Sequence, residues 1–153
     1  MPTPAKLVAA ILFAAVAWWV GETIVRYGLP EGVRVGWFRE ILAAGGLVIG
    51  WKTIGKACTG PMNRGTSISI ALTSGLGAAL ILLLLGLILH SFYDMITESL
   101  GSKYTEVGAA ASAWMEFMWR DTILVADPII LGTLFGGGAV VGLFAGAVGR
   151  LTR

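Results

Sequence analysis

The stretch Ile68–Leu89, ISIALTSGLGAALILLLLGLIL, decides the fold class. It carries no ionisable side chain over about 22 residues, and roughly 20 apolar residues in a helix cross the hydrocarbon of a bilayer. The rest of the chain agrees: 56% of its residues are hydrophobic and 13% charged, against about 25% charged in soluble domains. A soluble core built from 153 residues needs more polar surface than this sequence has. The expected fold is all-α, an integral membrane bundle forming one domain over residues 1–153, with no room for a second catalytic module.

Three further stretches predict spans, making four transmembrane helices. Upstream, about residues 38–54 hold the uninterrupted apolar run Ile41–Trp51, flanked by Trp37, Trp51 and Lys52. Interfacial aromatics and snorkelling lysines are favoured at such helix ends. The first span, about residues 7–25, is apolar apart from Glu22. Lys6, a short apolar run and the small pair Ala15 and Ala17 also resemble a signal peptide, but apolar character continuing through Trp18, Trp19 and Val20 favours a retained helix. Downstream, Asp127-Pro128 opens a span over about residues 128–149. Aspartate caps free N–H groups there, and proline suits a first helical position.

Between the last two spans, about residues 108–121 predict a short amphipathic helix. Trp114, Phe117 and Met118 fall on one face, and Ser112, Glu116 and Arg120 on another. Its expected place is the membrane interface, with an extension of the fourth helix as the alternative. Glu116 and Arg120 stand in the favoured i, i+4 order for an ion pair.

Charge placement predicts topology. Lys6, Lys52, Lys56, Arg64, Arg150 and Arg153 fall on one side with no acid. All nine acids fall on the other, with Arg26, Arg34, Arg39, Lys103 and Arg120. The short, purely basic loop from Lys52 to Arg64 assigns its side, and both termini, to the cytoplasm.

Small residues recur at four-residue spacing in every span. They are Gly138, Gly142 and Gly146 with Gly132 and Gly136 before them, Ser67, Ala71, Gly75 and Ala79, Gly46 and Gly50, and Ala10 and Ala14. Such faces let backbones approach where lipid supplies no hydrophobic drive. They predict close packing within the chain, with a homo-oligomer seam as the alternative use.

Chemistry-bearing residues are few. His90, Asp94 and Glu98 at i, i+4 and i+8 align on one helix face. An imidazole with two carboxylates suits a divalent metal or a proton relay, or else forms the solvated surface of a helix leaving the membrane. Asp127 joins them as a candidate ion or proton contact because it is ionisable and near a membrane boundary, although capping already gives it a structural role. Glu22 and Arg26 suit a surface ion pair. Cys58 lies in a basic loop, where cations lower a thiol pKa. A lone cysteine excludes an internal disulfide, and with a lone histidine it excludes a Cys/His zinc cluster in one chain. There is no Walker A, GxGxxG, GxSxG, CxxC or HExxH pattern. The expectation is a protein that is not an enzyme and has no catalytic residue, cofactor or nucleic-acid partner.

Several segments resemble one family. Met1-Pro-Thr-Pro-Ala-Lys-Leu-Val-Ala-Ala10, Leu29-Pro-Glu-Gly followed by Gly36-Trp-Phe38, Ser91-Phe-Tyr-Asp-Met-Ile96, and Ala126-Asp-Pro128 with Gly132-Thr-Leu134 resemble the TrgA family. These are small inner-membrane proteins associated with tellurite resistance, chiefly in alphaproteobacteria. The resemblance implies a bacterial inner-membrane location and a part in oxyanion resistance, and it draws attention to Asp94 and Asp127. It supplies no catalytic residue and does not reach Cys58.

Overall fold

The computed structural model describes residues 3–28, 36–59, 67–101 and 106–151. Glu31, Arg34, Arg64, Lys103 and Arg153 lie outside them, as does the end of the basic loop used to assign topology, residues 60–64. The described residues form five α-helices and no strand: α1 Pro4–Thr23, α2 Phe38–Ile49, α3 Ile68–Leu100, α4 Val107–Val125 and α5 Pro128–Leu151. Wider π-helical turns follow α1 at Ile24–Gly28 and α2 at Gly50–Gly55.

Among the described residues, three helical stretches are long and apolar enough to cross a membrane: Pro4–Tyr27, Ile68–Leu100 and Pro128–Leu151. The chain is built as a membrane protein, and its burial pattern agrees. Alanines dominate the buried core, including Ala5, Ala9, Ala17, Ala71, Ala78, Ala79 and Ala145, while Ile11, Trp19, Leu84 and Phe144 point outward. A core half alanine, filled out by Phe13, Ile54, Ile130 and Leu134, with many large apolar residues outside suits lipid surroundings, where association depends on backbone proximity.

The expected second span is helical without meeting the same standard. From Phe38 to Gly55 the path is shorter and carries Arg39, Glu40 and Lys52, so it is not among the three. The third helix continues past its expected span, through the stretch that places His90, Asp94 and Glu98 on one helix face. Its 33 residues extend about 50 Å at 1.5 Å per residue, well beyond the roughly 30 Å of bilayer hydrocarbon. The apolar part ends at Leu89, and the stretch from His90 onward provides a platform for α4.

Glycines set the packing. A Cβ on Gly46 would fall 2.6 Å from the Ala17 Cβ, one on Gly50 2.7 Å from the Ala9 carbonyl oxygen, and one on Gly55 2.9 Å from the Lys6 Cα. Those contacts run α2 and its π turn antiparallel to α1. Between α3 and α5 the approach is closer still: a Cβ on Gly75 would strike the Gly138 carbonyl, and one on Gly142 the Ala71 carbonyl. Gly146 adds a third contact, with Ala71. Gly132 and Gly136 depart from the expected packing face, since a Cβ on either meets nothing within 4 Å. Two residues turn a helix by about 200°, so Gly136 points away from the face that Gly138 presents to α3. At the far end, a Cβ on Gly149 would sit 2.8 Å from the Cys58 carbonyl oxygen and 3.8 Å from the Ala5 Cβ. The start of α1, the end of α5 and the chain after the second π turn therefore share one end of the bundle.

Candidate ion site between the third and fourth helices

At the opposite end, α4 folds back along the final turns of α3. Ala113, Trp114, Phe117, Met118 and Asp121 form its inward face, buried or half-buried. The Trp114 ring packs edge-on against Phe92 of α3, with centroids 6.0 Å apart. Apolar residues expected to face lipid thus pack on another helix. Met115, Trp119 and Ile123 form the exposed stripe instead.

Asp121 is the centre of this contact. Its side chain is 7% exposed, a position where a carboxylate is costly unless it is paired and hydrogen-bonded. Both oxygens have partners. His90 Nδ1 lies 2.9 Å from Asp121 Oδ2 and donates to it. The buried Ser91 hydroxyl lies 3.2 Å from the same oxygen and 2.6 Å from the Leu87 carbonyl. Arg120 donates to Asp121 Oδ1 from Nε at 3.3 Å and Nη2 at 3.2 Å. Burial works to raise the Asp121 pKa, but the hydrogen bond and charge of His90, together with Arg120, bring it below the ordinary aspartate value.

Asp94 completes the group. Its Oδ2 accepts from Arg120 Nη2 at 2.6 Å and lies 4.0 Å from His90 Nδ1. Arg120 therefore bridges two carboxylates, with its guanidinium 4.9 Å from the Phe117 ring. The expected Glu116–Arg120 pairing gives way to Asp94 and Asp121, which offer Arg120 two acceptors across the helix pair. Ligand atoms of His90, Asp94 and Asp121 all lie within 4.8 Å of one another. Glu98, expected beside His90 and Asp94, is not in that group, and Asp121 supplies the second carboxylate. No family model, curated protein or solved structure matches this chain.

The sequence did contain a signal for Asp121. It follows Trp114, Phe117 and Met118 by seven, four and three residues, so it shares their helix face. An acid on an apolar face is the anomaly to follow.

Asp127 stands apart from the group. Its Oδ1 accepts the Ile129 N–H at 2.7 Å, and its carbonyl accepts from Leu131 at 3.0 Å, the geometry of an N-cap on α5. A second ion network ties α1 to α2: Glu22 accepts from Arg26 Nε at 2.9 Å and from Arg39 Nη1 at 2.5 Å. The Arg39 guanidinium lies 5.9 Å from the Trp18 ring. Phe38, beside Arg39, packs edge-on to His90 with centroids 5.5 Å apart, so the two networks adjoin. Cys58, at the other end, is buried. Burial pushes its thiol pKa up, against a smaller opposing effect of Ser74, which leaves it a poor nucleophile.

Proposed function

We propose that this chain is a four-span bacterial inner-membrane protein, with both termini cytoplasmic, that supports tellurite resistance without catalysing a reaction. Its working part is the His90, Asp94 and Asp121 group acting as a cation contact. Support for the second of the four spans comes from α2 and its π turn, which accompany α1 from Gly21 to Lys6. Resemblance to the TrgA family supports the resistance role. The observation that carries the ion-handling part is the buried Asp121 carboxylate beside an imidazole and a second carboxylate.

Deletion of the gene in its source bacterium, followed by complementation, tests this reading. Tellurite sensitivity should rise on deletion, return to normal with the wild-type gene, and stay high with Asp94→Asn at equal membrane abundance. Unchanged sensitivity on deletion would sink the resistance role. A second reading, a small oligomeric transporter coupled to a proton or cation, draws on the same group of side chains. It requires ion-driven flux in proteoliposomes, although the apolar middle of α3 offers no charge of the kind coupled transport places at midplane.

A further inference from the structure

We propose that His90, Asp94 and Asp121 form a binding site for a divalent transition-metal ion of the zinc class, and that Arg120 holds the site when metal is absent. This deepens the ion-contact reading above, on which it rests, by naming the ligand class and the competitor.

The donor set selects the ion. One imidazole nitrogen and two carboxylates suit zinc, manganese or cobalt better than magnesium or calcium, which favour oxygen alone. The spacing fits as well. Bond lengths of about 2.0 to 2.2 Å give an edge of about 3.4 Å between ligand atoms around tetrahedral zinc. The two separations from His90 Nδ1 lie on either side of that value, 2.9 Å to Asp121 and 4.0 Å to Asp94. Small side-chain rotations bring both onto it. The donors also come from two helices: His90 and Asp94 stand one turn apart on α3, and Asp121 closes from α4.

Charge explains the role of Arg120. Two ionised carboxylates carry two negative charges, and a divalent ion bound with a neutral imidazole balances both. Arg120 supplies one positive charge and already reaches both carboxylates. Its side chain is 55% exposed, against 7% for Asp121, so it can swing into solvent while the acid stays in place. Arginine and metal therefore compete for the same oxygens. Metal entry displaces Arg120 and transfers any proton on His90 Nδ1 to solvent.

The test is titration of the purified full chain in detergent micelles with zinc chloride at neutral pH, followed by calorimetry. Visible absorption of the cobalt(II) form reports the geometry. Wild type should bind one zinc per chain and give a tetrahedral cobalt spectrum. His90→Ala and Asp121→Asn should each weaken binding at least tenfold. Arg120→Gln should tighten it severalfold, a gain that a purely structural cluster cannot produce. Far-UV circular dichroism and size exclusion verify that each variant is folded. Absence of zinc binding by both wild type and folded Arg120→Gln would overturn the proposal. So would binding that His90→Ala leaves unchanged. Zinc binding alongside normal tellurite sensitivity on deletion would keep the metal site and remove the resistance role; loss of complementation by Asp94→Asn without zinc binding would do the reverse.

Discussion

The two ends of this bundle are held by opposite means. At the end shared by Ala5, Cys58 and Gly149, backbones meet directly and glycine is the only residue small enough for the approach. At the other end, helices are tied by side chains that reach across: Glu22 to Arg39, His90 to Asp121, and Arg120 to Asp94. Direct backbone contact cannot accommodate a larger group, because a carbonyl has nowhere to move. Charged side chains on long stems can exchange partners at modest cost. The comparison separates a rigid frame from an adaptable mouth.

The largest expected effect comes from extending the frame's logic to α3 and α5. Gly75→Leu drives a side chain into the Gly138 backbone, and overpacking of that kind costs about 3 kcal/mol. The fraction of protein folded in detergent, read by thermal unfolding, should fall further than for any substitution at the charged end. A milder loss there would break the contrast. Next comes Asp121→Ala, which takes from His90 its close acceptor and leaves Ser91 with the Leu87 carbonyl and Arg120 with Asp94. With Arg120 largely in solvent, the loss should be about 2 kcal/mol, again read by thermal unfolding.

Acid sharpens the same point. A carboxyl whose folded pKa lies below its unfolded value adds stability above the unfolded value, and that stability disappears as pH falls through the folded one. Asp121 is shifted in that direction. In the presence of a chelator, wild type should therefore lose more stability than Asp121→Ala between neutral pH and the acid side of the ordinary aspartate range. Equal losses would remove Asp121 from the account. The smallest effect belongs to Gly136→Ala. Its Cβ meets nothing within 4 Å, and alanine is favoured over glycine inside a helix by about 1 kcal/mol, so a slight rise in melting temperature is expected.

Hydropathy and local signals carried much of the fold. Ile68 and Pro128 open helices where the sequence predicts them, and the face shared by Trp114, Phe117 and Met118 is the inward face of α4. The use of the end of α3 was less legible, because a polar helical run after Leu89 reads as an exit from the membrane and not as a platform for another helix. The site was half legible. His90 and Asp94 share a face by simple periodicity, but Asp121 arrives from 31 residues away in sequence. Only its position on an apolar face marks it in the sequence, and periodicity along α3 pointed to Glu98 in its place. The π turn at Gly50–Gly55 left no pattern that hydropathy can register.

The edge-on contact between Phe38 and His90 has a mechanical consequence. Phe38 is the first residue of α2, and its neighbour Arg39 is anchored by Glu22 on α1. The imidazole thus bears on the tip of a lever whose next link is bolted to the first helix. The ring therefore touches the α1 and α2 pair directly, although its own backbone belongs to α3.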